Sequence, residues 1–92
     1  MTDRHNAAWM KREDERILEF LGSEDMASAR LISREVFRQV SAGRVAERLA
    51  KLEYAGLVHR VGTTSFELTC EGERYLDGDL DAEHQPRPRR VQ

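Results

Sequence analysis

The chain has 92 residues, 39% of them hydrophobic and 35% charged, which suffices for one core and is too short for two domains of ordinary size. Its net charge of −2 gives no overall attraction to a polyanion, and a lone cysteine, Cys70, excludes an internal disulfide. No stretch nears the roughly 20 apolar residues of a membrane span and the N-terminus MTDRHNAAW lacks a signal peptide's apolar run, so a cytoplasmic protein with no membrane contact is expected.

The predicted elements are mostly α with a small β-hairpin. Residues 8–21 place Met10, Asp14, Ile17, Leu18 and Leu21 at helical spacings, and Gly22 is expected to stop this first helix before a turn at Ser23 to Asp25. Ser28 caps a second helix with Leu31, Ile32 and Val36 on its apolar side. Phe37 falls nearly opposite Ile32 and Val36, which marks a bend from Phe37 to Val40. Ser41 caps a third helix, residues 42–55, whose inward stripe is Val45, Leu49 and Leu52, and Gly56 closes it. LVHRV and SFELT, separated by GTT, predict a hairpin over residues 57–69. Thr69 caps a final helix, residues 70–81, with Tyr75, Leu76 and Leu80 apolar. From His84 on, two prolines and little to bury predict disorder, which leaves one domain over residues 1–85 and a basic tail over 86–92.

Helix, turn, helix and hairpin in this order make a winged helix-turn-helix, in which the second helix of the unit enters the DNA major groove. Charge agrees: residues 30–60 carry seven Lys/Arg against three Asp/Glu, and residues 61–85 carry one against seven. With Val45, Leu49 and Leu52 inward, Gly43, Arg44, Glu47, Lys51 and Tyr54 point outward and Arg48 lies at the flank. Arg44, in the first turn, is the expected base reader, since its planar fork matches guanine O6 and N7. Gly43 permits close backbone approach, and Ser41 lies within reach of a phosphate. Arg30, Arg34 and Arg38 recur every four residues on the second helix and widen the basic surface. Arg60, Thr63 and Thr64 in the wing suit phosphate positioning, and Arg87, Arg89 and Arg90 in the tail add nonspecific attraction. The rival reading is structural: Glu47 stands between Arg44 and Lys51 at ion-pair spacing, the hairpin covers the core, and the tail aids solubility.

Trp9 and Phe20, flanked by charge, suggest a homodimer interface shared with Leu76 and Leu80; the alternative is a monomer with Trp9 as a core lid. His5, His59 and His84 lack ligand spacing, Cys70 has no neighbouring histidine, and no Gly-rich phosphate loop occurs. Neither an enzyme, a metal site nor a cofactor is expected.

Three motifs carry a resemblance: Trp9-Met10 with Asp14-x-x-Ile17-Leu18-Glu19-x-Leu21, Val45-x-x-Arg48-Leu49-x-x-Leu52-x-x-x-Gly56-Leu57-Val58, and Leu68-Thr69-x-x-Gly72-x-x-Tyr75-Leu76-x-Gly78-x-Leu80-Asp81. Over residues 8–83 the chain resembles the small winged-helix proteins of halophilic archaea related to the repressor of halophage phi-H. The resemblance implies a MarR-like or ArsR-like winged fold, a dimeric DNA-binding transcriptional regulator, and groove contact by Arg44 and Arg48. The chain departs from the relatives at the GTTS wing tip, where they often carry a glycine with a basic residue. The combined expectation is a repressor that binds double-stranded DNA as a homodimer on an inverted repeat. The alternative is a winged-helix protein–protein interaction module without DNA binding, using Trp9, Phe20 and Tyr54.

Overall fold

The computed structural model describes residues 3–88. Three helical stripes and one sheet face are too apolar to leave in water, and their mutual burial decides the architecture. Helix α1 (Arg12–Glu24) buries Ile17, Leu18 and Leu21, α2 (Ala29–Val36) buries Ile32, and α3 (Ala42–Tyr54) buries Val45, Leu49 and Leu52. Strands β2 (Val58–Val61) and β3 (Ser65–Leu68) close the core with Val58 and Phe66, and α4 (Cys70–Leu76) contributes Tyr75.

Hydroxyl caps set the helix starts where the sequence predicts them. Ser28, Ser41 and Thr69 accept from the backbone N–H of Leu31, Arg44 and Gly72 at 3.1, 3.1 and 3.0 Å, each worth about 1 kcal/mol. The bend between α2 and α3 also falls as predicted: Phe37 leaves helical geometry at ψ 150°, and the Ser33 hydroxyl closes the turn by donating to the Val40 carbonyl at 2.6 Å. Gly56, at φ +82°, ends the α3 region in the left-handed conformation that suits a residue without Cβ.

Four boundaries differ from the sequence reading. Helix α1 begins at Arg12 and passes through Gly22 to Glu24, because Gly22 serves packing: a Cβ there would stand 3.1 Å from Leu76 Cδ1. The strand β1 (Met26–Ser28) follows, pairing antiparallel with β3 through Ala27↔Phe66 and turning the expected hairpin into a three-stranded sheet of order β1-β3-β2. Helix α4 stops at Leu76, since Gly78 adopts φ +81°, so Leu80 lies beyond it. His84 completes a 3-10 turn, Ala82–His84, and the Gln85 side chain donates to the Ala55 carbonyl at 3.0 Å, so the chain beyond α4 returns to the end of α3. Its other anchor is the N-terminal segment, where the Ala82 N–H donates to the His5 carbonyl at 2.8 Å.

Among the described residues no helix is long and apolar enough to cross a membrane.

Candidate nucleic-acid interface

At about 100° per residue, the outward direction of α3 is opposite Val45, Leu49 and Leu52, and it is occupied by Gly43, Glu47, Ala50 and Tyr54, with Ala46 beside them. All five are exposed, Tyr54 at 53%. The outermost ridge is thus built mainly of residues with no side chain or a single methyl. Ala46 and Ala50 were not anticipated from the sequence, although the helical phase that places Gly43 outward also places them there.

Arg44 and Lys51 fall roughly 70–90° to one side of this ridge, and both are half-buried. The outward position expected for them is corrected to a flank. Arg44 bridges two helices: Nε and Nη2 donate to Glu13 Oε2 of α1 at 3.3 Å each, and Nη1 donates to Glu47 Oε1 at 2.8 Å. The Glu13 carboxyl is held below the ordinary carboxylate range, first by its own backbone N–H and then, against some desolvation, by the Arg44 charge.

Arg48 is a correction of a different kind. Its side chain is 3% exposed and its Nε and Nη2 donate to the two carboxylate oxygens of the fully buried Asp14 at 2.8 and 2.6 Å, with Nη2 also reaching the Trp9 carbonyl at 3.3 Å. The hydrogen bond to Asp14 outweighs desolvation and raises the guanidinium further above its already high range. A cation so enclosed does not contact DNA; it ties α3 to α1. The signal was present in the sequence, since Asp14 lies on the inward stripe of α1 and Arg48 in the inward arc of α3, and two opposite charges on buried phases satisfy each other.

The opposite flank of α3 faces a shallow groove shared with the start of α2 and the wing, whose rim includes Arg30, Gly43, Ala46, Arg60 and Thr64. Arg30 is exposed there, while Arg34 is exposed beside Glu35 at 3.4 Å, and Arg38 lies past the end of α2 and off that helix. Arg60 stacks on the Phe66 ring, 4.7 Å from guanidinium carbon to centroid, and its Nη2 lies 3.5 Å from Glu53 Oε1. Register explains the stacking, because Arg60 pairs with Phe66 and Phe66 with Ala27, forming one row across all three strands. Thr63 and Thr64 are exposed at the wing tip, and Ser41, whose hydroxyl caps α3, is exposed as well.

This geometry — small outward ridge, flanking cations, stacked wing arginine — sits on a chain whose residues 1–86 match the family described as winged helix-turn-helix phage repressor. The chain belongs to the winged helix-turn-helix phage repressor family. Its fold is similar to the crystal structure of the PhiH1 repressor-like protein from Haloarcula marismortui, at 30% sequence identity and a TM-score of 0.87 over 95% of this chain and 99% of that one. No curated protein matches the sequence. Membership in this phage repressor family implies a DNA-binding regulator and not an enzyme.

Within the family fold, the residues expected at a dimer interface are spread over both sides of α1. Phe20 lies with Arg16, Glu35 and Val36 near α2, whereas Leu76 packs on Gly22 at the α4 side. Leu80 and Trp9 are partly buried against the core, and Trp9 lines a cleft beside α3. Of the three tail arginines, Arg87 is exposed and lines that cleft, while Arg89 and Arg90 lie outside the described residues.

Proposed function

We propose that this protein represses transcription by binding duplex DNA as a homodimer, with α3 in the major groove and the hairpin of residues 57–69 as its wing. The observation that carries the reading is the outward ridge of α3, where Gly43, Ala46 and Ala50 let the backbone approach base edges and only Glu47 and Tyr54 reach further. Alanine methyls suit the thymine C5-methyl group, and a carboxylate suits the cytosine N4 amino group. Glu47, steadied by Arg44 at 2.8 Å, is therefore the base reader in this proposal. Arg44 reads guanine only by leaving Glu13 and Glu47. Arg30, Arg60, Thr63 and Thr64 take phosphates on the wing side and Ser41 takes one at the start of α3, with Arg34 adding long-range attraction.

The dimer brings Phe20, Leu76 and Leu80 around α1 into contact with a second copy. The longest dimension of the protomer, 32 Å, is close to the ~34–36 Å that separates half-sites one helical turn apart.

Selection of bound fragments from a random duplex pool tests the reading and reports the operator. The expected result is an inverted repeat with half-sites about one turn apart. Glu47→Ala then relaxes preference at one base pair, a loss of ~1–3 kcal/mol of discrimination, while Arg30→Ala weakens all sequences alike. Failure to retain any duplex at low salt would reject DNA binding. A Phe20→Glu variant that sediments as the wild type does would reject the proposed dimer contact.

A further inference from the structure

We propose that the cleft beside α3 opposite the wing is a second phosphate-binding site, which grips the DNA strand that the wing does not touch. The cleft, of about 350 Å³, is lined by Trp9, Lys11, Arg48, Lys51, Arg87 and Pro88. Four of these six are cations, and Arg48 is the one already neutralised, by Asp14. Lys11, Lys51 and Arg87 form no ion pair among the described residues, and no carboxylate lines the cleft beside them. Three like charges brought to one concavity repel each other, and an anion relieves that repulsion.

The three come from different parts of the chain. Lys11 is the residue before α1, Lys51 is in the third turn of α3, and Arg87 arrives by the segment that Gln85 fastens to the Ala55 carbonyl. The Arg48–Asp14 pair fixes the floor between α1 and α3. Trp9 and Pro88 supply rigid walls, and the Trp9 carbonyl is itself held by Arg48.

Position selects the anion. Lys51 stands about 80° from the outward ridge of α3, and Arg30 and Arg60 border the groove on the other side. A helix lying in the major groove, about 12 Å wide, has a phosphate strand along each flank. One strand meets Arg30 and the wing; the other meets the cleft. This assignment rests on the placement of α3 in the groove proposed above.

The test compares wild type with Lys11→Gln, Lys51→Gln, Arg87→Gln and the triple variant by fluorescence anisotropy, on the selected operator and on a scrambled duplex across a salt series. The expected result is a weakening of the triple variant by the same factor on both duplexes, and a salt slope of log K reduced by about 0.9 for each phosphate that is no longer neutralised. A neutral methylphosphonate at the phosphate flanking the half-site on that strand is expected to weaken wild type and leave the triple variant unaffected. Wild-type affinity and slope in the triple variant would overturn the site while leaving DNA binding by α3 intact. So would saturable binding of deoxyadenosine monophosphate, abolished in the triple variant, together with unchanged DNA affinity, since the cleft would then serve a free nucleotide. Absence of duplex binding by wild type defeats the groove placement and this site together.

Discussion

Asp14 and Arg48 form a buried ion pair that joins α1 to α3. Each lies on a buried helical phase, and each has the other as its counter-charge at 2.6–2.8 Å. Asp14→Ala or Arg48→Ala leaves one charge buried alone and is expected to cost about 3–5 kcal/mol in urea denaturation, whereas Asp14→Leu with Arg48→Met is expected to recover most of that loss. Arg48 was legible as a basic position at the flank of the third helix, and its burial follows only once Asp14, thirty-four residues away in sequence, is taken as its partner. Tyr75 gives a second case. It is fully buried, its hydroxyl donates to Glu15, and burial followed by that bond pushes its pKa far above the ordinary value for tyrosine. A group raised on folding stabilises the protein below its unfolded pKa and loses that contribution as pH rises towards the folded value. Stability is therefore expected to fall above about pH 10, with a limiting slope of ~1.4 kcal/mol per pH unit from this group. The comparison is with Tyr75→Phe, in which that component of the alkaline decline should be missing.

At the scale of elements, the caps and the inward stripes were legible because each depends on residues within one or two turns. The strand β1 was not, since three residues, Met26–Ser28, are too few to display alternation and their pairing partner lies near residue 66. The end of α4 was missed for a related reason: the apolar spacing runs on to Leu80, but Gly78 at φ +81° ends the helix first. Glycines carry different weights in this fold. At Gly72 a Cβ would fall 2.1 Å from the Leu57 carbonyl oxygen, where Leu57 also accepts from the Thr69 N–H at 3.1 Å. Gly72→Ala must displace backbone and is expected to cost at least 1–3 kcal/mol, with a matching drop in melting temperature. Gly43 has only the Ser41 hydroxyl nearby, at 3.9 Å, so Gly43→Ala is expected to keep the melting temperature or raise it slightly. If α3 approaches bases as proposed, the same substitution weakens DNA binding.

The whole molecule is weakly acidic, at net −2, yet it gathers cations around one helix. Attraction to phosphate therefore depends on a local field that salt screens within about 3 Å at 1 M. Nonspecific affinity is expected to collapse with added salt faster than operator affinity, so the ratio of the two should widen from 0.1 to 1 M in paired anisotropy titrations. The general plan was legible in the sequence, as the match of residues 1–86 to the phage repressor family bears out. The division of the cations between core, flank and rim was not, because it depends on partners in other elements: Asp14 for Arg48, Glu13 for Arg44 and Phe66 for Arg60.

The strand that the sequence concealed has a consequence for recognition. Through the row Arg60, Phe66, Ala27, the wing is laced by a continuous ladder to the segment that starts α2, only three residues before Arg30. The gap between those two arginines is thereby gauged by hydrogen-bonded strands spaced about 4.8 Å apart, like the jaws of a locked caliper. A locked jaw does not conform to what it measures. The duplex must supply the compliance, so pliant pyrimidine–purine steps should be favoured at operator positions that no side chain reaches.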